Sequence, residues 1–189
     1  MVIAQDWLSP TRLTGLIAYS ASLSACMARW LLNRKSFSRD GLFAVLAAVQ
    51  FCLLIDMALD LRWKLHEFWM QEAMSMGVYG LRRMPQAVAM AILLFMVALA
   101  VVAIRRRLRG RTGAELALTG TLLSAALWCF EWISFHWLDQ ILYHSAGPVM
   151  VVSVLWIGLA IVTCLGAWLD GVGHFSKQPP GQDASKYDV

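Results

Sequence analysis

Five apolar runs, each about 20 residues long, constrain the fold of this chain more than any other feature. They cover residues 13–32, 41–61, 87–104, 114–135 and 149–169. Runs of this length are typical of transmembrane helices, because about 20 helical residues cross the hydrocarbon core of a bilayer. Charged residues make up only 15% of the chain, which is too few for the surface of a soluble domain of this size. The sequence therefore predicts an all-α integral membrane protein, a helical bundle of about five transmembrane helices.

The distribution of Lys and Arg predicts the orientation of these helices. If the spans alternate in direction, eleven of the 16 basic residues fall on one side of the membrane and five on the other. Basic residues mark the cytoplasmic side, so we expect the N-terminus outside and the C-terminus in the cytoplasm. Residues 1–170 are then the membrane domain, with an interfacial segment at 62–85. Residues 171–189, rich in Gly, Pro, Lys and Asp, are expected to form a disordered cytoplasmic tail.

The net charge of +4 follows from this topology and does not indicate nucleic-acid binding. The chain also has no Gly-rich phosphate loop and no basic patch interleaved with aromatic residues, the usual signatures of nucleotide or nucleic-acid sites. Membrane lipids, and other membrane-protein subunits, are the expected partners instead.

Two acidic residues lie near the end of the second apolar run. Asp56 and Asp60 are four residues apart and would share one helix face, which Lys64 continues. Asp60 and Lys64 are then a favourable i,i+4 ion pair. An ionised acid as deep in the run as Asp56 is costly unless it is paired or faces a water-filled cavity. Asp56 is therefore a candidate site residue.

A second polar segment, EWISFHWLDQILYH, overlaps the end of the fourth run and continues beyond it. If the helix continues through it, one polar stripe is formed by His136, Asp139, Gln140 and Tyr143. An imidazole and a carboxylate three residues apart can hold one metal ion. The same spacing suits a hydrogen bond through which Asp139 fixes the tautomer of His136. Glu131 lies about 140° away from His136 around such a helix and faces something else.

The predicted topology places both polar segments on the outer side, where they could form one site. The candidate ligands for a divalent metal ion are Asp56, Asp60, His66, His136 and Asp139. The candidate catalytic residues, for proton transfer or for hydrolysis or transfer of a group at the membrane surface, are Glu131, His136 and Asp139. The alternative is structural: the histidines satisfy backbone groups near helix ends, and the acids pair with Arg62, Lys64, Arg82 or Arg83.

A third group of residues, between the second and third runs, has the chemistry to hold a lipid head group. Tyr79, Arg82 and Arg83 combine an aromatic ring with two guanidinium groups, which suits anionic phosphate. Salt bridges from the arginines to Glu67 and Glu72 are the alternative.

Parts of these segments resemble an uncharacterised group of small bacterial inner-membrane proteins. The resemblance lies in LRWKLHEFW, in YGLRRMPQ and in EWISFHWLDQILYHSAGPV, which together cover about a third of the chain. It implies a multi-pass protein of the bacterial inner membrane and no particular activity.

Two functions from different classes fit these observations. The first is a ligand site of acids and histidines at the extracytoplasmic face, with a metal ion as the leading ligand and catalysis as an extension. The second is a non-enzymatic accessory or assembly subunit that packs against a larger membrane complex. Polar residues that point inward and cluster around a cavity would favour the first. Polar residues that are paired off singly, together with an exposed aromatic face, would favour the second.

Overall fold

A computed structural model of the chain describes residues 9–35, 41–75, 77, 83–133 and 140–175. The described residues are almost entirely helical. Six helices of at least 15 residues are α1 (Pro10–Lys35), α2 (Leu42–Leu59), α3 (Leu61–Ser75), α4 (Arg83–Arg107), α5 (Thr112–Ile133) and α6 (Val151–Phe175). A short antiparallel hairpin precedes α6 and consists of β1 (Ser145–Ala146) and β2 (Val149–Met150).

Five of the six helices are long and apolar enough to cross a membrane: α1, α2, α4, α5 and α6. The prediction of an all-α chain with five candidate spans is therefore confirmed. The helix α6 continues through Phe175, beyond the boundary expected at residue 170, so the first residues assigned to the tail are helical. Residues 176–189 lie outside the described part of the chain.

Two helix starts follow from local chemistry. The hydroxyl oxygen of Ser9 accepts a hydrogen bond from the backbone N–H of Arg12 at 3.3 Å, which caps α1. Pro10 occupies the first helical position, where the missing backbone N–H is not needed. Pro85 lies within the first turn of α4 for the same reason.

Four helices form a closed bundle in the order α1, α2, α5, α6, since each of these packs against the next and α6 packs against α1. We call the end of the bundle where α2 and α5 terminate the upper end, and the opposite end the lower end. Tyr19, Met57 and Trp156 belong to an apolar cluster towards the upper end. Cys26 and Phe43 belong to a second cluster towards the lower end.

The contact between α5 and α6 depends on small residues. A Cβ atom added at Gly166 would overlap the backbone nitrogen of Ala117, and one at Gly113 would overlap that of Asp170. The two backbones are therefore in direct contact. Close approach through small residues is a common way for helices to associate in membranes.

The helices α3 and α4 lie outside this closed bundle. The helix α4 packs mainly against α5, and none of its residues from Met84 to Arg107 is buried. The helix α3 follows α2 after a single residue and contacts it. Most of the described side chains of both helices are therefore exposed.

Candidate functional site

The upper end begins with a break in the helix at Asp60. Asp60 has a left-handed backbone, with φ 52° and ψ 35°, and ends α2. The backbone N–H of Lys64 donates to the carbonyl oxygen of Asp60 at 3.2 Å, which starts α3. The helix face predicted to run from Asp56 through Asp60 to Lys64 is therefore interrupted at Asp60.

Asp60 pairs with Arg12 of α1 rather than with Lys64. The Nη1 atom of Arg12 lies 2.6 Å from Oδ2 of Asp60, and its Nη2 atom donates to the carbonyl oxygen of Ala58 at 2.7 Å. The predicted pair between Asp60 and Lys64 was wrong, because the helix break removes the i,i+4 geometry that the pair requires. Arg12 instead neutralises Asp60 and satisfies a carbonyl group in the last turn of α2.

Asp56 is buried and held by donors from two other helices. Its Oδ1 atom accepts the backbone N–H of Arg62 at 3.0 Å, and its Oδ2 atom accepts the indole N–H of Trp128 at 2.8 Å. The Nε atom of Arg62 lies 4.0 Å from Oδ2, a distance at which the two groups interact through charge without a hydrogen bond. Asp56 thus joins the start of α3 and the upper part of α5 to α2.

Glu131 of α5 forms an ion pair with the Nη1 atom of Arg62. The side chain of Glu131 is fully buried and that of Arg62 is 8% exposed. Glu131 and Asp56, which belong to different helices, therefore contact one guanidinium group. We call Asp56, Arg62 and Glu131 the upper cluster; it carries two negative charges and one positive charge when all three groups are ionised.

A pocket of about 570 Å³ lies beside the upper cluster, between α2, α3 and α5. Its volume falls within the range of about 300–1,000 Å³ typical of small-molecule sites. Asp56 and Lys64 are the charged residues among the described residues that line it. The remaining described lining residues are apolar, aromatic or thiol side chains: Cys52, Leu61, Leu65, Phe68, Trp128 and Trp132.

Several predicted site residues lie outside the described part of the chain. These are His136 and Asp139 among the candidate metal and catalytic residues, and Tyr79 and Arg82 among the candidate lipid-binding residues. The backbones of His66 and Arg83 are described and helical, but their side chains are not. The metal, catalytic and lipid-binding roles of these residues stay predictions.

Within the residues that the structure describes, no group of three or more His, Cys, Asp or Glu side chains is placed to hold a metal ion. Asp56, Asp60 and Glu131 all face guanidinium groups. A metal site at the upper end would therefore draw its further ligands from His66, His136 and Asp139.

The lower end holds a second buried ion cluster that the sequence analysis did not single out. Asp170 of α6 accepts Nε of Arg29 from α1 at 3.0 Å, and its Oδ1 atom lies 3.3 Å from Nη2 of Arg111. Arg29 also donates to the backbone carbonyl oxygen of Asp170 at 2.9 Å. One signal was present in the sequence: Asp170 directly follows the fifth apolar run, and an acid at the end of a span is costly to bury unless it is paired.

The two ion clusters occupy opposite ends of the same four-helix bundle, and the pocket lies at the upper one. The chain matches no protein-family model, no curated protein and no solved structure.

Proposed function

We propose that this chain is a multi-pass protein of the bacterial inner membrane that binds a ligand at the upper end of its bundle. In this proposal the N-terminus lies outside and the C-terminus in the cytoplasm, so the upper end faces the extracytoplasmic side. The observation that supports it is the convergence of Asp56 and Glu131 on Arg62 beside a pocket that Asp56 itself lines.

The cost of burying charge supports a functional reading of the upper cluster. Replacing a buried ion pair by apolar residues of similar volume is often neutral or stabilising, so the folding of a membrane bundle does not require such a pair. Ionisable residues inside membrane proteins commonly mark ligand sites or ion pathways. A cluster with one more acid than base, next to an open pocket, fits a ligand site.

A divalent metal ion is the ligand that the predicted residues would take. Asp56 borders the pocket, and a site completed by His66, His136 and Asp139 would combine imidazole and carboxylate ligands as many metal sites do. Glu131 has a different position: its side chain is fully buried against Arg62 and is not among the residues that line the pocket. For Glu131 to act as a general base, Arg62 would first have to release it.

Elemental analysis of the full-length protein, purified in a mild detergent, tests whether the ligand is a metal ion. The wild type should contain about one metal ion per chain, and the double variant His136→Ala/Asp139→Ala should lose it. His144→Ala is the matched control, because it removes another, exposed histidine and should retain the metal. Wild-type protein without metal would exclude a metal ion as the ligand.

A second candidate function, an accessory subunit of a larger membrane complex, is supported by α4. This helix has no buried residue from Met84 onwards, and Phe95 in its middle is 63% exposed. A helix of this kind can pack against another membrane protein through its free face.

Site-specific photo-crosslinking in native membranes tests the subunit function. A photoreactive amino acid at Phe95 should yield one discrete protein adduct if α4 contacts a partner. The same residue at Ile17 of α1, which is 67% exposed, is the control and should yield none. Lipid adducts alone at both positions would contradict the subunit function.

A further inference from the structure

We infer that the pocket at the upper end binds an anionic phospholipid, with an acyl chain along its apolar walls and the phosphate group beside Lys64. This inference rests on the proposed function and specifies the ligand class of the same site. It is carried by three properties of the pocket: the composition of its walls, the charge of Lys64, which has no ion pair among the described residues, and its position along the spans.

The walls are formed by residues at helical spacing on three helices. Cys52 and Asp56 lie one turn apart on α2, and Trp128 and Trp132 lie one turn apart on α5. On α3 the lining residues recur at spacings of three and four: Leu61, Lys64, Leu65 and Phe68. Each helix therefore turns one face to the pocket, and those faces are largely apolar and aromatic, which suits a hydrocarbon chain.

Lys64 is the residue of the pocket that favours an anionic ligand. The charge of Asp56 is offset only in part, because Arg62 is shared with Glu131, but both carboxylate oxygens of Asp56 already accept hydrogen bonds from Arg62 and Trp128. Lys64 forms no ion pair with any described residue, and it is exposed. A phosphate group beside Lys64 would supply the missing counter-charge.

The indole of Trp132 adds a hydrogen-bond donor. Its Nε1 atom is buried and has no acceptor among the described residues. Tryptophan at membrane interfaces combines an apolar body with an N–H group that seeks a polar partner. An ester or phosphate oxygen of a lipid in the pocket would be such a partner.

The position of the pocket along the spans matches the depth of lipid head groups. Asp56 precedes the last residue of α2 by three positions. At a rise of about 1.5 Å per residue, it lies within about 5 Å of the end of that helix. The pocket therefore lies where the hydrocarbon core meets the head-group layer, and its exposed residues Leu61, Leu65 and Phe68 leave it open to the lipid.

Native mass spectrometry of the full-length protein tests this inference. The delipidated wild type in detergent is titrated with dioleoylphosphatidylglycerol or with dioleoylphosphatidylcholine. We expect one phosphatidylglycerol per chain at concentrations where phosphatidylcholine is not retained. Lys64→Gln should weaken phosphatidylglycerol binding about fivefold, as expected for one basic residue at a membrane surface. Trp132→Phe should also weaken phosphatidylglycerol binding.

Glu67→Gln is the matched control for Lys64→Gln. Glu67 is exposed on the same helix and is not among the residues that line the pocket, so this variant should not weaken phosphatidylglycerol binding. Equal retention of the two lipids by the wild type, or equal effects of the two α3 variants, would overturn the inference. If no lipid binds but a metal ion or another small molecule co-purifies, the lipid inference fails and the proposed function stands. If no ligand of any kind binds, both fail.

Discussion

Arg62 and Glu131 form a buried ion pair that connects the start of α3 to the end of α5. The backbone N–H of the same arginine donates to Asp56 at the end of α2. Arg62 therefore connects α2, α3 and α5 beside the pocket. A shift of α3 would therefore move both Arg62 and the α3 residues that line the pocket.

Replacement of Arg62 by Met should lower the free energy of unfolding by about 3–5 kcal/mol, because Asp56 and Glu131 would remain buried near each other without a cation. Unfolding in mixed SDS micelles, followed by circular dichroism, measures the change. Lys64→Gln, an exposed position on the same helix, should change stability by no more than about 0.5 kcal/mol. Equal losses in the two variants would show that the upper cluster does not stabilise the fold.

Asp170 should stabilise the lower end of the bundle as Arg62 stabilises the upper end. Asp170→Asn weakens a buried contact with both Arg29 and Arg111, so we expect a loss of about 3 kcal/mol or more in the same unfolding measurement. Glu115→Gln is the control, because its ion pair with Arg105, at 3.4 Å, has an arginine side chain that is 74% exposed. Exposed pairs contribute about 0–1 kcal/mol. A larger loss for Glu115→Gln than for Asp170→Asn would contradict this assignment.

The close contact of α5 with α6 predicts opposite effects for two glycines of α6. Gly166→Ala should be strongly destabilising, because the new methyl group would overlap the backbone of Ala117. Gly158→Ala places its methyl group in open space and should stabilise the helix by up to about 1 kcal/mol. Thermal unfolding in detergent distinguishes them, and a similar midpoint for both variants would mean that the helices are farther apart.

Reporter fusions test the proposed orientation. Green fluorescent protein at the C-terminus should fluoresce, because it folds in the cytoplasm, and alkaline phosphatase at the same position should be inactive. Alkaline phosphatase inserted after Gly77, between α3 and α4, should be active, because that position is proposed to lie outside. The reverse pattern would turn the upper end towards the cytoplasm and contradict an extracytoplasmic ligand site.

The five spans could be predicted because a bilayer-crossing helix requires a long apolar run, and such runs are visible without knowledge of any contact. The starts of α1 and α4 were harder to predict from the sequence. Arg12 was counted as a residue outside the first span, yet it lies within α1 and is buried. Its charge is offset by Asp60, 48 positions away in the sequence, and hydropathy alone cannot reveal such a pairing.

The helix break at Asp60 also could not be read from the sequence. The residues around it, Ala58-Leu59-Asp60-Leu61, contain no glycine or proline, and a left-handed aspartate is uncommon. The break changes the site, because Lys64 then lines the pocket and Asp60 forms its ion pair with Arg12. The sequence named Asp56 as a candidate metal ligand and Glu131 as a candidate catalytic residue, and those roles stay predictions. Which arginine each would meet depends on the helix arrangement.

The mass of the intact complex released from native membranes is the most direct test of a ligand site at the upper end. Gently ionised wild-type protein should carry one bound species per chain, whether a metal ion or a lipid. Asp56→Asn should carry a metal ion at lower occupancy, and Trp132→Phe should carry a lipid at lower occupancy, with helicity unchanged by circular dichroism. A wild-type chain that appears only at its bare mass under the mildest conditions, or occupancy equal to that of the wild type in both variants, would contradict the account.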